Sequence, residues 1–245
     1  VDQFILSGTD YQRLFEGAQT TVLILLFAFI LGVILSVVVG VLRLNDRAWV
    51  RGASLVFVEF FRGISSIILL FIVAIAIPIF LGLEQGNLIA LASIALGANM
   101  GGYGAEIIRG AILSVPKGQT EASIALNLSE YQRLRYIILP QAMRVILPPM
   151  GNLTIEILKG TALASTVGVV ELTRALTATN NAQLNGPPED RVPYLFIALN
   201  ALLIYFALSL IVTFLFRLGE RYVERRYEGG SATARSTEES AEVAA

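Results

Sequence analysis

Leu147-Pro148-Pro149-Met150-Gly151-Asn152-Leu153-Thr154-Ile155-Glu156-Ile157-Leu158-Lys159-Gly160-Thr161 is the stretch on which the number of membrane crossings turns. It is apolar in bulk but carries two prolines, two glycines, an amide, an acid and a base, so it cannot face lipid along its length. Four other stretches, residues 17–42, 63–83, 85–105 and 192–216, contain no Asp, Glu, Lys or Arg. Each suits a bilayer core of about 30 Å, which needs about 20 helical residues. Basic residues then orient them, because connections rich in Lys and Arg stay on the cytoplasmic side. Arg43, Arg47, Arg51 and Arg62 follow the first stretch, whereas the 83–86 turn has no basic residue. The next connection holds Arg109, Lys117, Arg133, Arg135 and Arg144, and the C-terminal region holds Arg217, Arg221, Arg225 and Arg226. Two segments on the same side are separated by an even number of crossings, yet only residues 192–216 lie between them as a charge-free window. A fifth span therefore sits within residues 144–179, interrupted and facing protein or water.

The resulting expectation is an all-α integral membrane protein of five transmembrane helices, with the N-terminus outside and the C-terminus in the cytoplasm. The first stretch has an acidic flank (Asp2, Asp10, Glu16) and is too long for a cleavable signal, so it reads as a retained span. Residues 1–228 form the membrane domain, with a cytoplasmic loop at about 114–140. Residues 180–191 read as a solvated external turn, and residues 229–245, rich in Ser, Thr and Gly, as a disordered cytoplasmic tail. No internal repeat is visible.

Composition excludes much chemistry. The chain is 55% hydrophobic and only 15% charged, against about 25% in soluble domains. It has no cysteine and no histidine, which removes thiol nucleophiles, imidazole acid–base chemistry and nitrogen- or sulfur-ligated metal sites. A net charge of −1 offers nothing to nucleic acid. No G-x-x-x-x-G-K-[ST] phosphate loop occurs, so the chain is not itself an ATPase.

Three acid–base pairs at a spacing of three stand at or near span ends: Glu59 with Arg62, Glu106 with Arg109, and Glu156 with Lys159. That spacing puts both members on one helix face, where each offsets the other's desolvation. Two readings stay open, a polar route for a charged or zwitterionic solute and anchors that set helix depth. The first two pairs read as structural, while Glu156 and Lys159 lie deep in the broken span, where ionisable groups mark pathways. Uncharged polar residues also fall inside spans, among them Ser36, Ser65, Ser66, Thr161 and Asn200. Hydroxyls there usually bond their own helix. Asn99 and Asn152 stand out because an unpaired buried amide is costly, and Asn99 lies in the glycine-rich run Gly97-Ala98-Asn99-Met100-Gly101-Gly102-Tyr103-Gly104.

In the long cytoplasmic loop, Pro116 and Gly118 end the preceding helix, and Thr120 is placed to cap a short new one. Such a helix suits either a groove on a soluble partner or the lipid surface. Here the chain resembles the permease subunits of ATP-binding-cassette importers for polar amino acids and related solutes. Their "EAA loop" runs Glu-Ala-Ala, then a Gly, then Ile-x-Leu-Pro; this chain has Glu121-Ala122-Ser123, Asn127 and Ile137-Ile138-Leu139-Pro140. The likeness extends through Glu59-Phe60-Phe61-Arg62-Gly63, Tyr103-Gly104-Ala105-Glu106, Ser114-Val115-Pro116-Lys117-Gly118-Gln119, Leu147-Pro148-Pro149-Met150-Gly151-Asn152 and Val167-Gly168-Val169-Val170-Glu171-Leu172-Thr173, across about residues 19–217.

The resemblance implies a type I importer core of the methionine-permease kind in the bacterial cytoplasmic membrane. It also implies a second permease subunit, identical or homologous, a dimer of ATP-binding-cassette ATPases that use the ATP, and an extracytoplasmic solute-binding protein. The chain itself carries no cofactor; its other partner is membrane lipid. The loop would be the coupling helix, with Glu121, Ala122, Ser123, Ala125, Leu126, Asn127 and Leu128 at the ATPase. Ser65, Ser66, Asn99, Asn152, Glu156, Lys159 and Thr161 are the expected substrate pathway. Three positions depart from the family. Asn127 replaces Gly and must reproduce a left-handed or crowded backbone. Ile64-Ser65-Ser66 replaces Thr-Pro after Arg62-Gly63. Gly160 replaces a common Asp, which argues against a strongly cationic cargo. Asn127-Leu128-Ser129 together with residues 155–163 is similar to the branch that imports ectoine-type compatible solutes. The rival readings are an ion-coupled secondary transporter and a non-transporting membrane scaffold.

Overall fold

The computed structural model describes residues 6–82, 86–187 and 191–243, with side chains as far as Arg225. Every regular element among them is helical. In chain order they are α1 (Gly8–Leu42), α2 (Ala48–Gly63), α3 (Ser66–Phe71), α4 (Ile77–Phe80), α5 (Leu88–Leu113), α6 (Lys117–Ala125), α7 (Glu130–Arg133), α8 (Leu139–Gly160), α9 (Leu172–Asn185) and α10 (Tyr194–Val243). Three of them, α1, α5 and α10 up to Arg225, are long and apolar enough to cross a membrane alone. Two bent pairs pass the same length and composition test together, α2 with Ser66–Phe80, bent by 103°, and Glu130–Val167 with α9, bent by 52°, which gives three spans, or up to five if each bent pair is one.

Helix α5 is the axis of the bundle and the most buried of the three unbroken spans. One of its faces is built for contact with α1. A Cβ on Gly97 would fall 3.0 Å from the Ala28 carbonyl oxygen, and one on Gly101 would fall 2.6 Å from Leu35 Cβ. On α1, a Cβ on Gly32 would fall 2.7 Å from Met100 Sδ, and one on Gly40 2.9 Å from the Ala105 carbonyl oxygen. Small residues on both helices bring the backbones together, which is how helices associate where lipid supplies no hydrophobic drive between them. The principal core, with Ile24, Leu70, Leu96, Met100, Met150 and Ile157, is built around α5. A second core of Leu14, Ala18, Leu172, Ala175, Ile197 and Ala201 joins α1, α9 and α10 at the other end.

Two prolines leave the same local signature. The helix widens to a π turn at Ile72–Ala76, two residues before Pro78, and again at Leu134–Ile138, two residues before Pro140. A proline ring clashes with the carbonyl four residues back, Ala74 and Tyr136 here, and widening the turn relieves that clash. Pro148 and Pro149 are instead accommodated inside a continuous α8.

Several boundaries differ from expectation. The 63–83 window is helical over Ser66–Phe80, only about 22 Å at about 1.5 Å per residue, and it passes the length and composition test for a span only together with α2 across the break. Residues 83–85 of the expected external turn lie outside the described residues, as do residues 1–5 of the acidic flank. Helix α5 continues past Ala105 to Leu113 because its charges at Glu106 and Arg109 are neutralised within the bundle. Half of the expected external turn is helix, since α9 runs to Asn185; residues 188–190 lie outside the described residues. Helix α10 continues to Val243 through residues for which an irregular tail is expected, and these contain the good helix formers Ala, Glu and Arg.

The α1–α5 contact makes a direct prediction. Gly101→Val should lower the melting temperature of the purified protein by the equivalent of about 1–3 kcal/mol of overpacking. Gly52→Ala, with nothing within 4 Å of its Cβ, should be neutral or slightly stabilising.

Candidate functional site

The break between α2 and α3 is where the expected pathway residues first meet. A helix that ends leaves its last carbonyls unbonded, and inside a bundle these need partners. Asn99 Nδ2 donates to the Phe61 carbonyl at 2.8 Å, and Tyr103 Oη donates to the Arg62 carbonyl at 3.2 Å. The two donors are one turn apart on α5. Ser66 Oγ, at the start of α3, donates to Asn99 Oδ1 at 3.3 Å, so one buried amide bonds both sides of the break. Gly102 lies beneath this contact, where a Cβ would stand 3.0 Å from Phe61 Cβ. The Arg62 guanidinium stacks over Tyr103, 5.5 Å from the ring centroid. Ser65 is exposed in the break.

The charge pairs fare unequally. Glu106 accepts Arg109 through Nε at 3.0 Å and Nη2 at 2.9 Å, and its other oxygen faces Arg43 Nη1 at 2.8 Å. This triad ties the end of α1 to α5. Glu59 and Arg62 are 3.9 Å apart and largely exposed, a much looser contact. The expected pair of Glu156 and Lys159 does not form; no ion pair joins them among the described residues. Both side chains are exposed on α8, as is Asn152, and spacings of four and three put all three on one polar face. Thr161 is not on that face. It is fully buried and donates to the Leu158 carbonyl at 2.7 Å.

Beyond α8, a 3₁₀ helix (Thr161–Val167) ends at Gly168 with φ +98°, a left-handed backbone that suits glycine. Glu171 then caps α9 and is itself fully buried. Its Oε1 accepts from the Arg174 amide at 3.0 Å, and its Oε2 accepts from the Thr173 amide at 2.9 Å and from Tyr205 Oη at 2.8 Å. The Leu172 amide donates to Thr21 Oγ1 at 3.2 Å, so α1 through Thr21 and α10 through Tyr205 are both bonded to the first turn of α9.

On the other side of α5, the loop holds a nine-residue helix, α6. It begins at Lys117 behind Pro116, three residues ahead of the expected Thr120 cap, because proline's fixed φ already suits a helix entrance. Its end is a Schellman turn. The Asn127 amide bonds the Ile124 carbonyl at 2.8 Å, and the Leu128 amide bonds that of Ser123 at 3.1 Å. Asn127 has φ +55° and is the one described non-glycine residue with a positive φ. Asn therefore does meet the left-handed geometry that the replaced Gly implied. Ser129 and Gln132 form a capping box that starts α7. Glu121, Ala122, Ile124, Ala125, Leu126 and Asn127 are exposed, whereas Ser123 is buried and donates to the Thr120 carbonyl at 2.6 Å.

This architecture has known relatives. A family model, the binding-protein-dependent transport system inner membrane component, matches residues 31–226. The chain belongs to that family. A probable amino-acid ABC transporter permease protein of Sinorhizobium fredii is 35% identical over 214 residues, covering 86% of this chain and 87% of that protein. A crystal structure of an amino acid ABC transporter with histidines superposes with a TM-score of 0.76 at 26% identity, over 86% of this chain and 94% of that one. The methionine transporter MetNI in an inward-facing conformation gives 0.73 at 20% identity, over 89% and 99%, and supports the fold alone. This permease is thus a multi-pass membrane subunit of an ATP-binding-cassette importer, a class that works with an ATPase and a substrate-binding protein.

Two cavities of about 340 and 590 Å³ open beside Phe29, Leu147 and Phe216, and both have almost wholly apolar walls. Neither includes an expected pathway residue. Among the described residues no acidic cluster is placed to hold a metal. Sequence reading missed Arg43, Tyr103, Glu171 and Tyr205. Only Tyr103 carried a local signal, one turn from Asn99.

Glu171→Ala should leave the Thr173 and Arg174 amides without their carboxylate acceptor and take from the Tyr205 hydroxyl one of its two partners, the other being Thr173 Oγ1. It is expected to cost about 2–4 kcal/mol and Tyr205→Phe about 1 kcal/mol, read as thermal shifts of the purified protein.

Proposed function

We propose that this permease carries a polar amino acid or a zwitterionic compatible solute, of the ectoine type among the candidates, through five spans with the N-terminus outside and the C-terminus inside. The observation that carries the ATP-driven reading is α6. A short helix held between two spans by a Schellman turn and a capping box presents Glu121, Ala122, Ala125 and Leu126 outward. This supports a coupling helix seated in a cleft of an ATPase subunit. Ser123 turns inward and fixes the helix, while Asn127 shapes its end and Leu128 follows the turn.

The pathway is proposed along the polar face of α8. Asn152, Glu156 and Lys159 are exposed on a helix of a bent span, and ionisable groups at that depth require water or a second subunit. Ser65, at the break, is a further wall residue, while Ser66, Asn99 and Thr161 shape the wall from behind. Without an acid at Gly160, a cargo carrying both charges suits Glu156 and Lys159 better than a strongly cationic one. Two such subunits, two ATPases and an external solute-binding protein complete the proposed assembly. ATP binding draws the coupling helices together and opens the cavity to the other side.

The test is solute uptake by proteoliposomes holding the permease with its co-purifying ATPase and binding protein. Uptake should require ATP, and Glu121→Arg should abolish both uptake and ATPase co-purification while leaving membrane insertion intact. Uptake driven equally well by an ion gradient favours a secondary transporter instead. Orientation is checked separately in this cysteine-free chain. Asn185→Cys should react with an impermeant maleimide added outside; labelling only from the cytoplasm reverses the topology.

A further inference from the structure

We infer that Asn99 and Tyr103 are positioning residues of the transport cycle: they latch the broken second span in the bent arrangement seen here, and the cycle releases them so that its two halves change angle. The inference rests on the reading of this chain as the moving subunit of an ATP-driven importer.

Four observations lead to it. The bend is 103°, and nothing lies within 4 Å of a Cβ placed on Gly63, so the break is not wedged by packing at that point. Helix α2 is lightly seated, with only Ser54 and Val58 buried, Val58 in a small cluster with Val39 and Ala105, and the hydrogen bonds that join it to α5 lie at its C-terminal end. There the hydrogen bonds described above all run to α5, and both Asn99 and Tyr103 grip backbone carbonyls. A grip on backbone fixes the direction of the chain rather than of one side chain. Finally, Asn99 spans the hinge, with its amide nitrogen on the last turn of α2 and its amide oxygen on the first residue of α3. Rotating either half about Gly63–Ser65 breaks one of these bonds together with the packing of Phe61 and Ile64 against the core. The groups moved by that rotation include Arg62 and Ser65, the polar residues at the break.

A hydrogen bond worth about 1 kcal/mol net changes the ratio of two arrangements about five-fold when it is present in only one of them. The experiment uses the assembled complex of permease, ATPase and solute-binding protein, with Ser65→Cys as the single thiol. Its modification rate by a maleimide is compared in nucleotide-free and vanadate-trapped states. With the latch intact the two rates should differ by about five-fold or more. Tyr103→Phe, which keeps the ring and its packing, should reduce that ratio markedly, and Asn99→Leu with Tyr103→Phe should bring it close to one. ATP hydrolysis per assembled complex, measured without binding protein, should rise several-fold in both variants. A merely structural role predicts less assembled complex with an unchanged rate ratio and unchanged hydrolysis per complex, and that result overturns the inference. If the double variant does not assemble, Tyr103→Phe alone decides. A nucleotide-independent rate in the parent complex overturns the importer reading and the latch with it; a nucleotide-dependent rate that survives both variants overturns the latch alone.

Discussion

A helix that stops inside a membrane bundle leaves carbonyls and amides that water cannot reach, and the irregular parts of this structure answer that constraint. At the end of α2 the answer is Asn99 and Tyr103 on α5. At the start of α9 it is Glu171, which accepts two amides and a tyrosine hydroxyl. Before Pro78 and Pro140 it is a widened turn, which keeps the backbone bonded with a longer reach. The regular spans follow from these choices, because α5 can serve as the axis only if one face admits α1 through its glycines and another presents donors to α2. An Ala at Gly102 would crowd Phe61 and a Val at Gly101 would crowd Leu35, so neither face tolerates ordinary helix composition.

Much of this plan was legible along the chain. Three of the four charge-free windows fall in the long unbroken helices α1, α5 and α10, because that signal depends on the transfer cost of charge rather than on tertiary contacts, whereas the fourth, 63–83, lies in a bent pair. Buried Ser36 and half-buried Asn200 bond carbonyls of their own helices, as polar side chains in spans tend to do. Asn127 was legible for a different reason, since few residues other than Gly accept a left-handed backbone and Asn is one of them.

What sequence could not supply were partners that lie far apart in the chain. Arg43 completes the coordination of Glu106 across 63 positions, and no spacing rule links them. Asn99 was singled out as a polar group beside a pathway, yet its principal partner is a backbone carbonyl, which has no sequence signature. Glu171 stood in a family-like stretch without a role, because Glu is an uncommon helix cap and neither its burial nor its bond to Tyr205 has a sequence signature.

The charges on the spans fall into those held by partners within the subunit and those left open. Glu171 has both carboxylate oxygens hydrogen-bonded within the subunit, while Glu106 bonds Arg109 through one oxygen and meets Arg43 Nη1 at 2.8 Å through the other in an ion pair without hydrogen-bond geometry. Glu156 and Lys159 have no such ion pair among the described residues, although they share one face of α8 with Asn152. An acid and a base that close in sequence and still apart are not neutralising each other. In lipid that arrangement costs several kcal/mol per charge, so the face has to meet water, a second subunit or a passing solute.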